Sequence, residues 1–245
     1  NEHYNNIRDE MLLQDPHANI KKHYKQYQIQ QFKPGSYQGY KLPFHMSPHW
    51  KIEKQVRYNT FSFNSTIFAS TYDIPSVLGK IQTYFTEAVY KRCVATERPI
   101  ACLLSGGLDS SLVTALVNEY HKTHNLPQLE TYSIGMEGSE DLKYAQKVAD
   151  YIGTKHTQVV VSEEEFVNAI PKVIYDIESY DTTTVRASVG NWLIAKYISE
   201  HSEAKVIFNG DGADELMGGY LYMKEAGNCI EFDKECKRLL SNIHQ

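Results

Sequence analysis

Ile100-Ala101-Cys102-Leu103-Leu104-Ser105-Gly106-Gly107-Leu108-Asp109-Ser110-Ser111-Leu112-Val113 decides the fold. The apolar run Ile100 to Leu104 reads as a buried strand. It stops at Ser105-Gly106-Gly107, and a helical pattern begins at Ser110. Strand, small-residue loop and helix start together make an anion site. Gly106 and Gly107 lack a Cβ, so the backbone can turn sharply and bring its N–H groups close to a ligand. The next helix points its positive end and unpaired N–H groups at the same spot. A bare carboxylate at Asp109 would repel phosphate there. It makes sense as a holder of Mg²⁺ bridging to phosphate. The blander alternative is a plain strand-to-helix turn with Ser110 as N-cap.

Outward from this stretch, strands and helices alternate. Residues 75–96 carry Val77, Leu78, Ile81, Tyr84, Phe85, Ala88, Val89 and Cys93 at three- and four-residue steps, a helical pattern. Helix 110–124 follows the first strand, then strand 129–134 and helix 141–152, closed by Gly153. Strand 156–161 leads to Ser162, which starts a helix with Glu165 at capping-box spacing. A helix over 188–201 and a short strand over 205–208 complete the series. The alternation predicts an α/β fold, a parallel sheet with helices on both faces. Ligands in such sheets sit beyond the carboxyl ends of strands. The loops at 105–110, 135–140 and 209–215 are therefore the ones to inspect.

Two further stretches stand out. Asn209-Gly210-Asp211-Gly212-Ala213-Asp214-Glu215-Leu216-Met217-Gly218-Gly219-Tyr220 packs three acids and four glycines into residues 210–219. It is either a flexible turn whose acids favour a helix start, or a second wall of the phosphate site, with Asp109 and Asp214 as Mg²⁺ ligands. Glu178-Ser179-Tyr180-Asp181-Thr182-Thr183-Thr184-Val185-Arg186-Ala187-Ser188 has three successive β-branched Thr, which disfavour a helix. Its hydroxyls and Arg186 suit a carboxylate, which arginine grips in bidentate fashion. Otherwise it is a polar loop before a helix from Ala187, capped by Ser188.

The whole chain sets bounds. Its 245 residues allow one to two domains. With 42% hydrophobic and 22% charged residues it has an ordinary globular composition. A net charge of −5 gives no support to a nucleic-acid platform. No apolar run is long enough to span a membrane, and no signal-peptide pattern opens the chain. Cys93, Cys102, Cys229 and Cys236 form no C-x-x-C pair and read as reduced cytosolic thiols. The ten histidines lack zinc-ligand spacing. Residues 1–60 are rich in Tyr, Gln, His and Asn. Ile29 to Phe32 suggests a short strand, Pro34-Gly35 a turn, and Pro43, Pro48 and Trp50 an irregular stretch. The start at Asn1 and the charged helical end at 230–244 predict a piece of a longer polypeptide.

Ser105 to Ser111 is neither a Walker A loop nor G-x-G-x-x-G. It resembles the PP-loop of ATP pyrophosphatases, which cleave ATP between its α- and β-phosphates. Ser105–Ser111, Glu178–Ser188 and Asn209–Tyr222 together resemble the synthetase domain of the glutamine-dependent asparagine synthetase family. That family's pattern is S-G-G-L-D-S-S, then E-T-Y-D-x-T-T-x-R-A-S, then S-G-E-G-[SA]-D-E followed by G-G-Y-x-Y. Gly138-Ser139-Glu140-Asp141 and Leu142 to Ala149 resemble it too, so the likeness runs from about residue 50 to 225. Phe32-Lys33-Pro34-Gly35-Ser36-Tyr37 resembles the last strands of the family's glutaminase domain.

The resemblance implies an adenine nucleotide alpha-hydrolase-like fold over residues 51–245, cut short at its C-terminal end. Residues 1–50 would be the tail of a glutaminase domain with its linker. It implies amidation of L-aspartate to L-asparagine through β-aspartyl-AMP, with ATP and Mg²⁺, and nitrogen from glutamine-derived ammonia. Ser105, Gly106, Gly107, Asp109 and Ser110 would cradle pyrophosphate. Leu103, Ile134, Asn209 and Gly210 would contact adenosine. Thr183, Thr184 and Arg186 would face aspartate or its phosphate, making Arg186 catalytic as well as substrate-binding. Asp109 and Asp214 would hold Mg²⁺, and Asp211 would serve amination. A cytoplasmic enzyme without nucleic-acid or membrane partners is expected, and a homodimer is compatible. A β-lactam synthetase is the related alternative, and an impaired nucleotide-binding homologue is the other.

Two departures bear on the chemistry. Asp211 stands where the family has Glu, which shortens its reach by roughly 1.5 Å, one C–C bond. Misplacement on that scale can cost ~100-fold, so amination is expected to lag adenylation. Asn209 replaces Ser.

Overall fold

The computed structural model describes residues 32–42, 50–58 and 73–242. Two compact units divide between residues 68 and 69. In the first, β1 (Ser36–Lys41) and β2 (Lys51–Arg57) form an antiparallel pair with an irregular register at Gly39/Tyr40. Gly35 enters β1 with φ +65°, as the Pro34-Gly35 turn requires. β2, which lies beyond residue 50, finds its partner in β1 and so belongs to this first compact unit. The strand expected at Ile29 to Phe32 and the stretch with Pro43 and Pro48 lie outside the described residues, apart from Phe32.

The second unit alternates as the periodicity predicts. It runs α1 (Ile74–Val94), β3 (Ile100–Leu103), α2 (Leu108–Thr123), β4 (Glu130–Gly135), α3 (Glu140–Ile152), β5 (Lys155–Val160), α4 (Glu163–Ile177), α5 (Thr182–His201), β6 (Val206–Phe208), α6 (Ala213–Met217), a 3-10 turn (Leu221–Glu225) and α7 (Cys229–Asn242). All strand pairs are parallel, in the order β5-β4-β3-β6. The chain moves outward from β3 to β5, then crosses back to place β6 on the other side of β3.

Alternation along β3 explains the two covered faces. Ile100 and Cys102 pack with Val89 and Cys93 of α1 and Val113, Val117 and Tyr120 of α2. Ala101 joins Tyr132 and Val159 beneath Ile194 and Ile198 of α5. Successive strand residues face opposite ways, so one short apolar strand serves both layers. On the second side, α4 lies against α5 through Ala169, Val173, Val185 and Val189. The burial of α1 is narrower than its pattern suggests. Only Val89 and Cys93 are buried, whereas Leu78 and Tyr84 are 59% and 68% exposed. The sheet reaches only the C-terminal half of that helix.

Local signals govern the helix ends. Gly153 closes α3 in the left-handed region, φ +76°. Ser162 and Glu165 make the reciprocal capping box at the head of α4. Two starts differ from expectation. α2 begins at Leu108 with Gly107 as N-cap, so Ser110 is inside the first turn and is not the cap. α5 begins at Thr182, so Thr182 to Thr184 are helical and Ser188 caps nothing. Asp181 is the N-cap there, accepting from the Thr184 N–H at 2.8 Å. β-branched residues crowd against a preceding turn, and the first turn of a helix has none.

All four cysteines are free. Burial pushes the Cys93 and Cys102 thiols up to about 11 and about 12. No helix among the described residues is long and apolar enough to cross a membrane.

Candidate active site

A cleft of about 440 Å³ opens beyond the carboxyl ends of β3, β4 and β6, where the strand order reverses. Open α/β sheets bind ligands at such a point because the loops there part in opposite directions.

The loop after β3 is pinned from two sides. Gly106 has φ +83° and lies on α3, where a Cβ would come within 2.5 Å of the Ala145 nitrogen. The Ser105 and Ser110 hydroxyls are 2.9 Å apart, and the Gly107 N–H donates to Ser105 Oγ at 3.3 Å. Ser110 Oγ donates to the Gly107 carbonyl, also at 3.3 Å. Gly107 offers no side chain to cap α2, so the first-turn N–H groups of this sixteen-residue helix remain open. Asp109 sits in that same turn.

The glycine-acid turn after β6 closes the other side. Gly210 rests against the start of α2, and a Cβ on it would lie 2.7 Å from the Ser110 nitrogen. Asn209 Nδ2 donates to Asp211 Oδ2 at 2.7 Å. Gly212 and Gly218 bound α6 with φ +90° and +66°. The Gly219 N–H donates to the Asp214 carbonyl at 3.0 Å, and the Asp214 carboxylate fills the space where a side chain at 219 would go. The Tyr220 hydroxyl donates to Glu215 Oε1, which pushes the tyrosine up to about 12.

The third wall comes from β4 and α5, through Tyr132, Ser133, Ile134, Asn191 and Ile194. Ser133 is tied behind the wall to His156 Nε2 at 3.0 Å, and His156 Nδ1 meets Thr131 Oγ1 at 3.0 Å. Burial holds His156 below its ordinary value, so the ring works as a neutral strut.

The cleft gathers Leu103, Ser105, Gly107, Asp109, Ser110, Ile134, Asn209, Gly210, Asp211 and Asp214, all expected from sequence. Gly106 supports the loop from behind. Thr183, Thr184 and Arg186 do not line it. They stand exposed on the first two turns of α5, whose cleft-facing residues are Asn191 and Ile194. Tyr132, Ser133, Asp141, Asn191, Ile194, Glu215 and Tyr220 are additional lining residues. Glu215 and Tyr220 lay within the turn that stood out, and Asp141 stands in the first turn of α3. Nothing local marks Asn191 or Ile194.

Charge decides what the cleft accepts. Asp109, Asp141, Asp211, Asp214 and Glu215 line it, with no Lys or Arg among the described lining residues. A polyphosphate would meet open helix N–H groups and also this acidic rim, so it needs metal counter-charge. Among the described residues no three His, Cys, Asp or Glu form a ready cation cage. Mg²⁺ does not require one. It takes one or two carboxylates and completes its shell with phosphate oxygens and water. The oxygen-only donors Asp109 and Asp214 fit that pattern.

Comparison with known proteins places the sequence in a family. The family model described as asparagine synthase matches residues 80–238. The glutamine-hydrolyzing asparagine synthetase of Gallus gallus is 46% identical over 176 residues, covering 71% of this chain and 31% of that protein. Its Homo sapiens counterpart is 45% identical over 174 residues, with the same two coverages. This chain therefore spans about a third of the length of the relatives it matches. Among solved structures, the NH3-dependent NAD synthetase of Campylobacter jejuni aligns with TM-score 0.40 at 15% identity, covering 58% of this chain and 60% of that one. A pinned Ser-Gly-Gly-Leu-Asp-Ser-Ser loop facing an acidic glycine turn, inside a family match over most of the second unit, makes the assignment: the chain belongs to the asparagine synthase family.

Proposed function

We propose that this chain carries the synthetase site of an enzyme that amidates L-aspartate to L-asparagine, at the cost of ATP cleaved to AMP and pyrophosphate. The observation that carries this reading is the meeting of the open α2 N-terminus with the acidic turn at the reversal of strand order. Residues 51–245 belong to the synthetase part in this reading. Those before residue 51 are the tail of a glutaminase domain that supplies ammonia from glutamine. Similarity to glutamine-hydrolyzing synthetases supports that supply.

The β-carboxylate of aspartate attacks the α-phosphorus of ATP. An O–P bond forms, the bond to the β-phosphate oxygen breaks, and pyrophosphate leaves with the electron pair. The N–H groups of the 105–110 loop and α2 take the charge that grows on the leaving group. Bound Mg²⁺, held by Asp109 and Asp214, would supply further charge neutralisation. Leu103, Ile134, Asn209 and Gly210 hold adenosine through backbone and apolar surface. The family resemblance assigns aspartate to Thr183, Thr184 and Arg186 at the head of α5, outside the residues that line the cleft. Ammonia then forms a bond to the acyl carbon, AMP departs with the C–O electron pair, and Asp211 takes the proton shed by nitrogen. On its other side the 209–213 turn lines a mainly apolar cavity with Ile81, Phe85, Leu112 and Met217, through which a neutral amine could reach Asp211.

The deciding test is pyrophosphate release by the full polypeptide that contains this chain, with ATP, Mg²⁺ and ammonium, with and without aspartate. Aspartate-dependent release with asparagine as product supports the reading. ATP binding without turnover would make this a non-catalytic homologue.

A further inference from the structure

We propose that Asn209 is the positioning residue for Asp211, and that the two form a matched pair in which the amide compensates for the short acid. The proposal rests on the synthetase reading above. Asn209 Nδ2 donates to Asp211 Oδ2 at 2.7 Å, and among the described residues no other side chain bonds to Asp211. The glycine between them packs closely on the loop after β3: a Cβ at 210 would lie 2.7 Å from the Ser110 nitrogen and 3.0 Å from the Asp109 carbonyl carbon. With the backbone held there, the place of the Asp211 carboxylate depends on its own side-chain torsions. The carboxylate is exposed, and an exposed side chain samples several rotamers. The hydrogen bond from Asn209 selects one of them.

The chemistry of the pair suits a base. The bond occupies Oδ2 and leaves Oδ1 free. An amide N–H₂ donates without bringing a cation into an acidic cleft, and it has no acid to compete for the proton. The pair also lines both the polar cleft and the apolar cavity behind the turn, so Oδ1 can meet a nitrogen arriving from either side. In the amination step the nitrogen lone pair forms the C–N bond, AMP leaves with the C–O electron pair, and the excess proton on nitrogen passes to Oδ1. Serine at 209 would place its hydroxyl roughly one bond, about 1.5 Å, short of the amide nitrogen, and would suit a longer acid at 211. Side-chain length alone predicts that this chain aminates poorly. The hydrogen bond reverses that expectation.

The test is a four-member cycle in the full polypeptide: unmodified, Asn209→Ser, Asp211→Glu and the double variant. Asparagine and pyrophosphate are measured in the same reaction at saturating ammonium, ATP and aspartate. The unmodified protein should give a ratio near one. Each single variant should lower asparagine per pyrophosphate at least threefold, the excess coming from hydrolysis of the acyl-adenylate. The double variant should recover most of the loss, which a merely structural role at 209 would not produce. An unchanged ratio in Asn209→Ser overturns the proposal. So does a double variant whose loss is the product of the two singles, or an equal fall in both products, which would put the Asn209 side chain on the nucleotide. A ratio well below one in the unmodified protein that Asp211→Glu alone repairs overturns it as well. Absence of aspartate-dependent pyrophosphate in the unmodified protein would instead remove the synthetase reading beneath it.

Discussion

Asp109 stands in the first turn of α2, half-exposed, and among the described residues its side chain accepts no hydrogen bond. Its only service to the fold is the favourable effect of an acid near a helix N-terminus, a few tenths of a kcal/mol to about 1. Asp109→Ala should therefore cut aspartate-dependent pyrophosphate release by ~100-fold or more. The thermal midpoint should move by less than about 3 °C. An intact rate, or a collapse of the midpoint, would return Asp109 to a plain helix-end acid. Arg186 is exposed in the second turn of α5 and takes part in none of the ion pairs among the described residues. A lysine cannot reproduce its planar two-pronged grip. Arg186→Lys should raise the KM for aspartate by about tenfold and that for ATP much less. Equal losses would place the guanidinium on the nucleotide, and no loss would leave it a surface arginine.

Helix starts explain where local signals worked and where they were misread. The Ser162-x-x-Glu165 spacing produced the expected reciprocal cap: the Glu165 N–H donates to Ser162 Oγ at 3.2 Å and the Ser162 N–H to Glu165 Oε2 at 2.8 Å. Ser162→Ala should lower the thermal midpoint by about 2–4 °C. The Ser162 N–H and hydroxyl hold the Glu165 carboxyl below its ordinary value of 4.5. A depressed carboxyl stabilises the fold above its unfolded-state value and loses that contribution as pH falls through the folded value. The gap between Ser162→Ala and the unmodified protein should thus be full at pH 7 and shrink below about pH 4, read from thermal melts along the acid limb. A gap that does not change with pH would mean that the Ser162 hydroxyl adds nothing to the Glu165 carboxylate, whose bond from the Ser162 N–H survives in the variant. At α5 the three threonines argued for a loop, yet Asp181 starts a helix directly before them. A cap satisfies first-turn N–H groups whatever the propensity of the residues that follow.

The molecule's second unit is organised by the return of the chain to β6. That crossover sets β6 beside β3, and the loops after both strands meet there, with Gly210 against the start of α2. The layer that holds β3, β4 and β6 in place includes Leu129, fully buried among α1 and α2 residues, with its carbonyl accepting from the Lys155 N–H at 2.9 Å. Leu129→Ala should cost about 2–5 kcal/mol through lost contact and a residual cavity. Calorimetry of the full polypeptide should show the synthetase transition lowered by roughly 5–15 °C. A shift under 2 °C would mean that the strand ends are held by something other than this layer.

By itself, the sequence determined the alternation of elements, the turn chemistry at Gly35 and Gly153, the cap at Ser162, and the two small-residue loops that form the cleft. Each is written in a few contiguous residues, and a helix period, a strand period or a positive-φ glycine needs no distant partner. Tertiary structure alone decided the rest. It placed β6 beside β3 and turned Asn191 and Ile194 into the cleft. It left the first half of α1 uncovered and drew Asp141 and Glu215 to the same rim as Asp109. Strand neighbours and the facing of a helix depend on where the crossover connection lands, and residues tens of positions apart set that jointly. No local pattern of hydrophobicity or propensity carries that information.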